Sequence, residues 1–156
     1  MKRSSWWALA GFVGAVAASA LVGGVTQKGS RAWYRTLRKP AFTPPDWLFG
    51  PVWTGLYALM AASAWRVWRQ PPSPARSRAL TLWGAQLAAN AAWTPLFFGA
   101  RRPAWALADL ALLVAGIGAY VYEARKVDRA AAWMMAPYGA WSAFAFALNE
   151  EIVRLS

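Results

Sequence analysis

Five apolar stretches of about 20 residues each leave this chain little choice of architecture. They run near residues 6–25, 47–65, 79–99, 104–122 and 130–149. At about 1.5 Å of rise per residue, each can cross a hydrocarbon core roughly 30 Å thick. Lipid offers no partners to backbone N–H and C=O groups, so each stretch must bond internally as a helix. A membrane strand would alternate polar and apolar residues, and runs such as Ala106–Ala115 do not. The expectation is an all-α, multi-pass integral membrane protein, one domain over 1–156, built as a five-transmembrane-helix bundle.

The chain carries 17 Lys and Arg against 6 Asp and Glu, a formal charge of +11 that raises nucleic acid as a partner. The placement of the basic residues argues against it. Nearly all lie between or beside the apolar stretches, at headgroup depth, so the implied partner is the lipid bilayer and no nucleic acid is expected. Nine Lys and Arg fall on one side of the bundle and eight on the other, a balance that sets no orientation. Without Cys or His the chain has no disulfide, thiolate nucleophile, zinc site or histidine haem ligand. No metal and no required cofactor is expected. No catalytic constellation is visible either, since the serines lack a base and there is no Gly-rich phosphate loop.

At the N-terminus, Lys2-Arg3, an apolar run and Ala18-Ser19-Ala20 have the pattern of a cleavable signal. The run continues to Val25, however, and Gly11, Ala15, Ser19 and Gly23 form a four-spaced ridge suited to helix contact. A retained first helix ending near Gly23-Gly24 is the expectation. Gly84, Ala88 and Ala92 make a second ridge, and either ridge suits a homodimer seam or internal packing.

Residues 26–46 form the longest connection and the least apolar part. Ser30 is placed to cap a short helix through Leu37. Pro40, Pro44 and Pro45 then enforce an extended, stiff path, where a loose linker would use Gly and Ser. This predicts a structured lid. Further along, Gly50-Pro51 is expected to interrupt the second helix.

Twelve tryptophans are present. Trp6, Trp7, Trp47, Trp65, Trp68, Trp83, Trp105 and Trp133 lie at stretch ends, where indoles favour the membrane interface. Trp53, Trp93 and Trp141 sit deeper, each near a helix-bending proline: Pro51, Pro95 or Pro137. Tyr57 is one turn from Trp53, and Gln86, Asn90 and Trp93 share one helix face. Two readings fit these residues: a packed core with interhelical amide bonds, or an aromatic box with polar handles for an apolar ligand. Asp109, the acid deepest in a stretch, is expected to bond another helix or the first loop. Glu150 and Glu151 are expected at the interface.

Taken together the motifs resemble the TspO/MBR family, the translocator or tryptophan-rich sensory proteins, also known as peripheral-type benzodiazepine receptors. Trp33-Tyr34, Leu37, Lys39-Pro40 and Pro44-Pro45 match its first loop, and Pro51-Val52-Trp53-Thr54 with Tyr57 its second helix. Gln86, Asn90 and the Trp93–Gly99 run match its third helix, Asp109 its fourth, and Pro137-Tyr138, Trp141 and Asn149 its fifth. The resemblance implies a five-helix bundle, often dimeric, whose first loop closes a pocket for porphyrins, sterols or synthetic ligands. It places Tyr34, Pro44, Trp53, Tyr57, Asn90, Trp93, Trp141 and Ala145 in that pocket. The Leu148–Arg154 stretch lacks the Tyr of the animal cholesterol pattern, which argues against a sterol there. Metal-free protoporphyrin IX is the expected ligand, its disc stacked on indoles and its carboxylates met by Arg35, Arg38 or Lys39. The implied role is receptor or transport-type, with a regulatory or stress-linked function. The alternative is enzyme-like: light-dependent degradation of bound porphyrin with Trp53 and Trp141 taking part.

Overall fold

The computed structural model describes residues 2–28, 31–43 and 46–155. Its elements are α1 (Lys2–Lys28), α2 (Arg31–Thr36), α3 (Asp46–Trp68), α4 (Pro74–Thr94), α5 (Pro103–Ala124), α6 (Arg129–Met134) and α7 (Ala136–Leu155). A π-helical turn, Pro95–Gly99, extends α4. The described residues contain no strand. The stretches over Trp6–Thr26 and Pro103–Ala124 are long and apolar enough to cross a bilayer.

Prolines and caps set the helix limits. Ser73 accepts from the Arg76 N–H at 3.1 Å and Pro74 takes the first position of α4. Pro103 takes the first position of α5, there without a side-chain cap. Pro95 would clash with the carbonyl four residues back and has no N–H, so the ladder widens and Ala100 N–H donates to the Pro95 carbonyl at 2.7 Å. This shift buries both Phe97 and Phe98.

Two expected boundaries are corrected. Helix α1 runs on through Gly23-Gly24 to Lys28, because nothing there removes a backbone donor. Helix α3 is continuous through Pro51, which sits in its second turn and forfeits one early bond without splitting the rod. The true interruption lies at Met135, between α6 and α7, where Pro137 crowds the Trp133 carbonyl. Met135 N–H turns back to the Ala132 carbonyl at 3.1 Å, which frees the Ala131 carbonyl. Ser63 of α3 takes it with a 2.7 Å bond. Its single proton is thereby committed, so Tyr120 of α5 donates to Ser63 Oγ at 2.8 Å. Three helices are joined at a wholly buried hydroxyl.

The main apolar core packs residues such as Leu56, Met60, Leu113, Ile117, Tyr120 and Tyr138 from α3, α5 and α7. A second, smaller core joins Phe97, Phe98, Ala106, Leu148 and Ile152 with Trp33, Tyr34 and Leu37 packed against it. At the end of α3, a cleft of about 280 Å³ is lined by Arg66, Arg69, Gln70 and Asp128. Asp128 caps α6 through Ala131 N–H and also pairs with Arg66 at 3.1 Å, so charge here fastens α3 to α6.

Trp6, Trp7, Trp68, Trp105 and Trp133 are exposed, as interface residues would be. Trp83 is a correction. It is 5% exposed, donates its indole N–H to the Met60 carbonyl at 3.1 Å and meets Phe12 edge-on. Trp47 has no described side chain. Glu150 is exposed and Glu151 pairs with Arg154 at 3.0 Å.

Replacing Ser63 by Ala leaves the Ala131 carbonyl unpartnered and should cost about 1–3 kcal/mol. Tyr120→Phe removes only one donor and should cost less. Thermal denaturation of the detergent-solubilised chain checks the order, and equal midpoints for Ser63→Ala and wild type would refute it.

Candidate functional site

Asn90 stands where four helices meet. Its carbonyl oxygen accepts from Ser19 of α1 at 2.9 Å and from Tyr57 of α3 at 3.3 Å. Its amide donates to the Tyr138 hydroxyl of α7 at 2.6 Å. A single amide on α4 thus holds α1, α3 and α7, with Asn90, Ser19 and Tyr138 all buried. These are the interhelical amide bonds of the first reading. Gln86, one turn below on the same face, makes none among the described residues.

Around this node the aromatic rings form two groups. In the first, Trp53 packs against Tyr57 at 5.4 Å, Tyr138 at 6.2 Å and Trp141 at 6.3 Å, the last pair edge to face. Trp141 continues to Phe144 at 5.5 Å, and Phe144 meets Phe42 of the 31–43 segment at 5.9 Å. Both Trp53 and Trp141 are half-buried and packed against the main core. Ala145, one turn beyond Trp141, also lies half-buried there.

In the second group, Trp93 stacks on Phe97 at 5.1 Å. Phe97 and Phe98 receive Trp33 at 5.6 and 6.3 Å and Tyr34 at 6.2 and 5.4 Å. Trp93 packs against both apolar cores. Its indole N–H donates to Asn149 at 3.1 Å, and Asn149 in turn donates to the Pro103 carbonyl at 3.0 Å. The 31–43 segment therefore rests at one end on α4's π-helical turn and at the other on α7.

The basic residues of this segment divide. Arg35 and Arg38 are exposed. Lys39 is partly buried, donates to the Tyr34 carbonyl at 3.0 Å and lies 4.4 Å from the centre of the Tyr34 ring. It braces the segment's own short helix. Arg101 holds a left-handed backbone, φ 54°, and sets its guanidinium 5.9 Å from the Trp33 ring. Pro44, with Pro45 and the proposed cap Ser30, lies outside the described residues.

Asp109 differs from expectation. No hydrogen bond reaches its buried Oδ2 from another helix or the first loop among the described residues. Sequence reasoning also missed Ser19, Phe42 and Phe144. Ser19 was legible only as a small residue of a packing ridge, although a hydroxyl inside an apolar helix is itself a sign of an interhelical bond.

Asn90→Leu should cost about 2 kcal/mol, three interhelical bonds at roughly 0.6 kcal/mol each. Ser19→Ala, which removes one, should cost about a third of that. Unfolding in mixed micelles measures both, and equal losses would show that Asn90 is not the node.

The sequence profile of the TspO/MBR family matches residues 11–155. The chain is 42% identical over 120 residues to a translocator protein of Ovis aries, covering 75% of this chain and 70% of the relative. It is 38% identical over 151 residues to a tryptophan-rich sensory protein of Cereibacter sphaeroides, covering 96% and 92%. Protein CrtK of Rhodobacter capsulatus is 39% identical over 126 residues, covering 80% and 79%. With that agreement over nearly its whole length, this all-helical integral membrane protein belongs to the TspO/MBR family.

Proposed function

We propose that the chain is a membrane receptor or transport-type protein that holds a tetrapyrrole such as protoporphyrin IX in an aromatic chamber. In this reading the whole chain is one domain of five membrane-spanning helices: α1, α3, α4 with its π-helical turn, α5, and α6–α7 together. The 31–43 segment between α1 and α3 serves as its lid. The observation that carries the proposal is the placement of Trp53, Trp93 and Trp141 on three different helices, with aromatic residues of the 31–43 segment seated on both ring groups. Flat, polarisable walls with few polar handles suit a flat apolar ligand. The translocator and sensory names of the relatives fit a receptor or carrier.

The contact set divides by chemistry. Trp53, Trp93 and Trp141 offer faces to the disc, with Tyr34, Tyr57 and Ala145 filling between them. Asn90 fixes their helices more than it reaches a ligand, because its carbonyl already accepts two bonds. Arg35 and Arg38 are exposed and suited to carboxylates, whereas Lys39 is held by Tyr34.

Titration with protoporphyrin IX, followed by tryptophan emission and read as a dissociation constant, tests this. Trp53→Phe with Trp141→Phe should weaken binding about tenfold, or ~1.4 kcal/mol, while Trp105→Phe on the outer surface should not. Arg35→Gln with Arg38→Gln should weaken the free acid and leave its dimethyl ester unchanged. Equal affinity in the wild type and the double tryptophan variant would remove the chamber as the site.

A further inference from the structure

Three polar side chains in the α4–α5–α7 seam have buried atoms without a hydrogen-bond partner among the described residues. They are both amide atoms of Gln86, Oδ2 of Asp109 and, with no more than the Tyr138 hydroxyl one turn earlier beside it, Oγ of Ser142. Gln86 is 1% exposed and Ser142 fully buried. They come from three helices packed on one another, Gln86 from α4, Asp109 from α5 and Ser142 from α7. A Cβ on Gly116 of α5 would stand 3.5 Å from the Gln86 Cβ, so Gln86 lies directly on α5 at that level. Asp109 is seven residues before Gly116, hence on the same stripe of α5, about 10 Å nearer its start. A Cβ on Gly139 of α7 would meet Ile117 at 3.5 Å, which sets α7 against the same level, and Ser142 lies one turn on. The bonds Asn90–Tyr138 and Trp93–Asn149 tie α4 to α7 at two heights, with Ser142 between the two α7 partners in sequence.

An amide that neither donates nor accepts is not tolerated in a bundle surrounded by lipid, where no outside solvent can relieve it. One amide, one hydroxyl and one carboxylate from three helices, facing a common seam, need a partner that both donates and accepts and is small enough to enter. We infer that the α4–α5–α7 seam is an internal water-binding site: a short file of water held by Gln86, Ser142 and Asp109. Asp109 lies about 9 Å in from the first residue of α5 and its residue keeps partial exposure, which makes it the mouth of the file. The file runs beside the Ser19–Asn90–Tyr138 node and ends at Gln86. The inference is independent of what the aromatic chamber takes up.

Water-edited solid-state NMR of the full chain in deuterated lipid bilayers tests it. Asn149 supplies an internal dry reference, since it is 1% exposed and its amide is bonded at both ends. Magnetisation from water should reach the Gln86 side-chain amide at least about threefold faster than that of Asn149. Gln86→Met identifies the signal by its loss. Asp109→Leu, which plugs the mouth, and Ser142→Val, which fills the middle, should each slow transfer to Gln86 at least about twofold; whichever variant folds suffices. Transfer to Gln86 no faster than to Asn149 in the wild type overturns the site. Fast transfer unaffected by either folded variant overturns the path through Asp109 and Ser142.

Discussion

Everything in this bundle depends on polar groups finding partners on other helices, since lipid supplies none. Asn90 is the clearest case. It accepts from two hydroxyls and donates to a third, and each partner lies on a different helix. Apolar packing between helices is weakly directional and in lipid gains little from excluding solvent. An amide bond specifies rotation and height. Asn90 thus sets the register of α1, α3 and α7 against α4, with Trp83–Met60 and Trp93–Asn149 as second ties to α3 and α7, and the rings of Trp53 and Trp141 inherit their positions from that register.

Proline provides the second ordering device, and its effect depends on where in a helix it falls. In the second turn of α3 it is absorbed, because the opening turn has few bonds to lose. Near the end of α4 it widens the ladder and turns two successive phenylalanines inward. Before α7 it breaks the rod, and the carbonyl set free is taken by Ser63. The same residue type thus yields a continuous helix, a widened turn and a break.

The helical, membrane-spanning character was legible from apolar length alone, and the inward face of α4 from the spacing of Gln86, Asn90 and Trp93. The short helix of the first loop was also legible, and the structure places it at Arg31–Thr36. What escaped were matters of partner identity. Trp83 looks like an interface residue in sequence, and the carbonyl of Met60 and the ring of Phe12 on neighbouring helices hold it inward. The contact of Lys39 with the carbonyl and ring of Tyr34, within the same segment, was likewise not announced by its sequence. Asp109 was expected to bond a neighbour that does not arrive. In each case the sequence states what a side chain can do, and the three-dimensional neighbour decides what it does.

Trp93 has a mechanical consequence. Its ring lies flat on Phe97, which carries Trp33 and Tyr34, while its nitrogen is leashed to Asn149 and so to the first residue of α5. Such a plate has little local slack. Any tilt of that indole must be passed on, either as a slide of the 31–43 segment packed on Phe97 or as a tug on α5, so the two cannot shift independently of it.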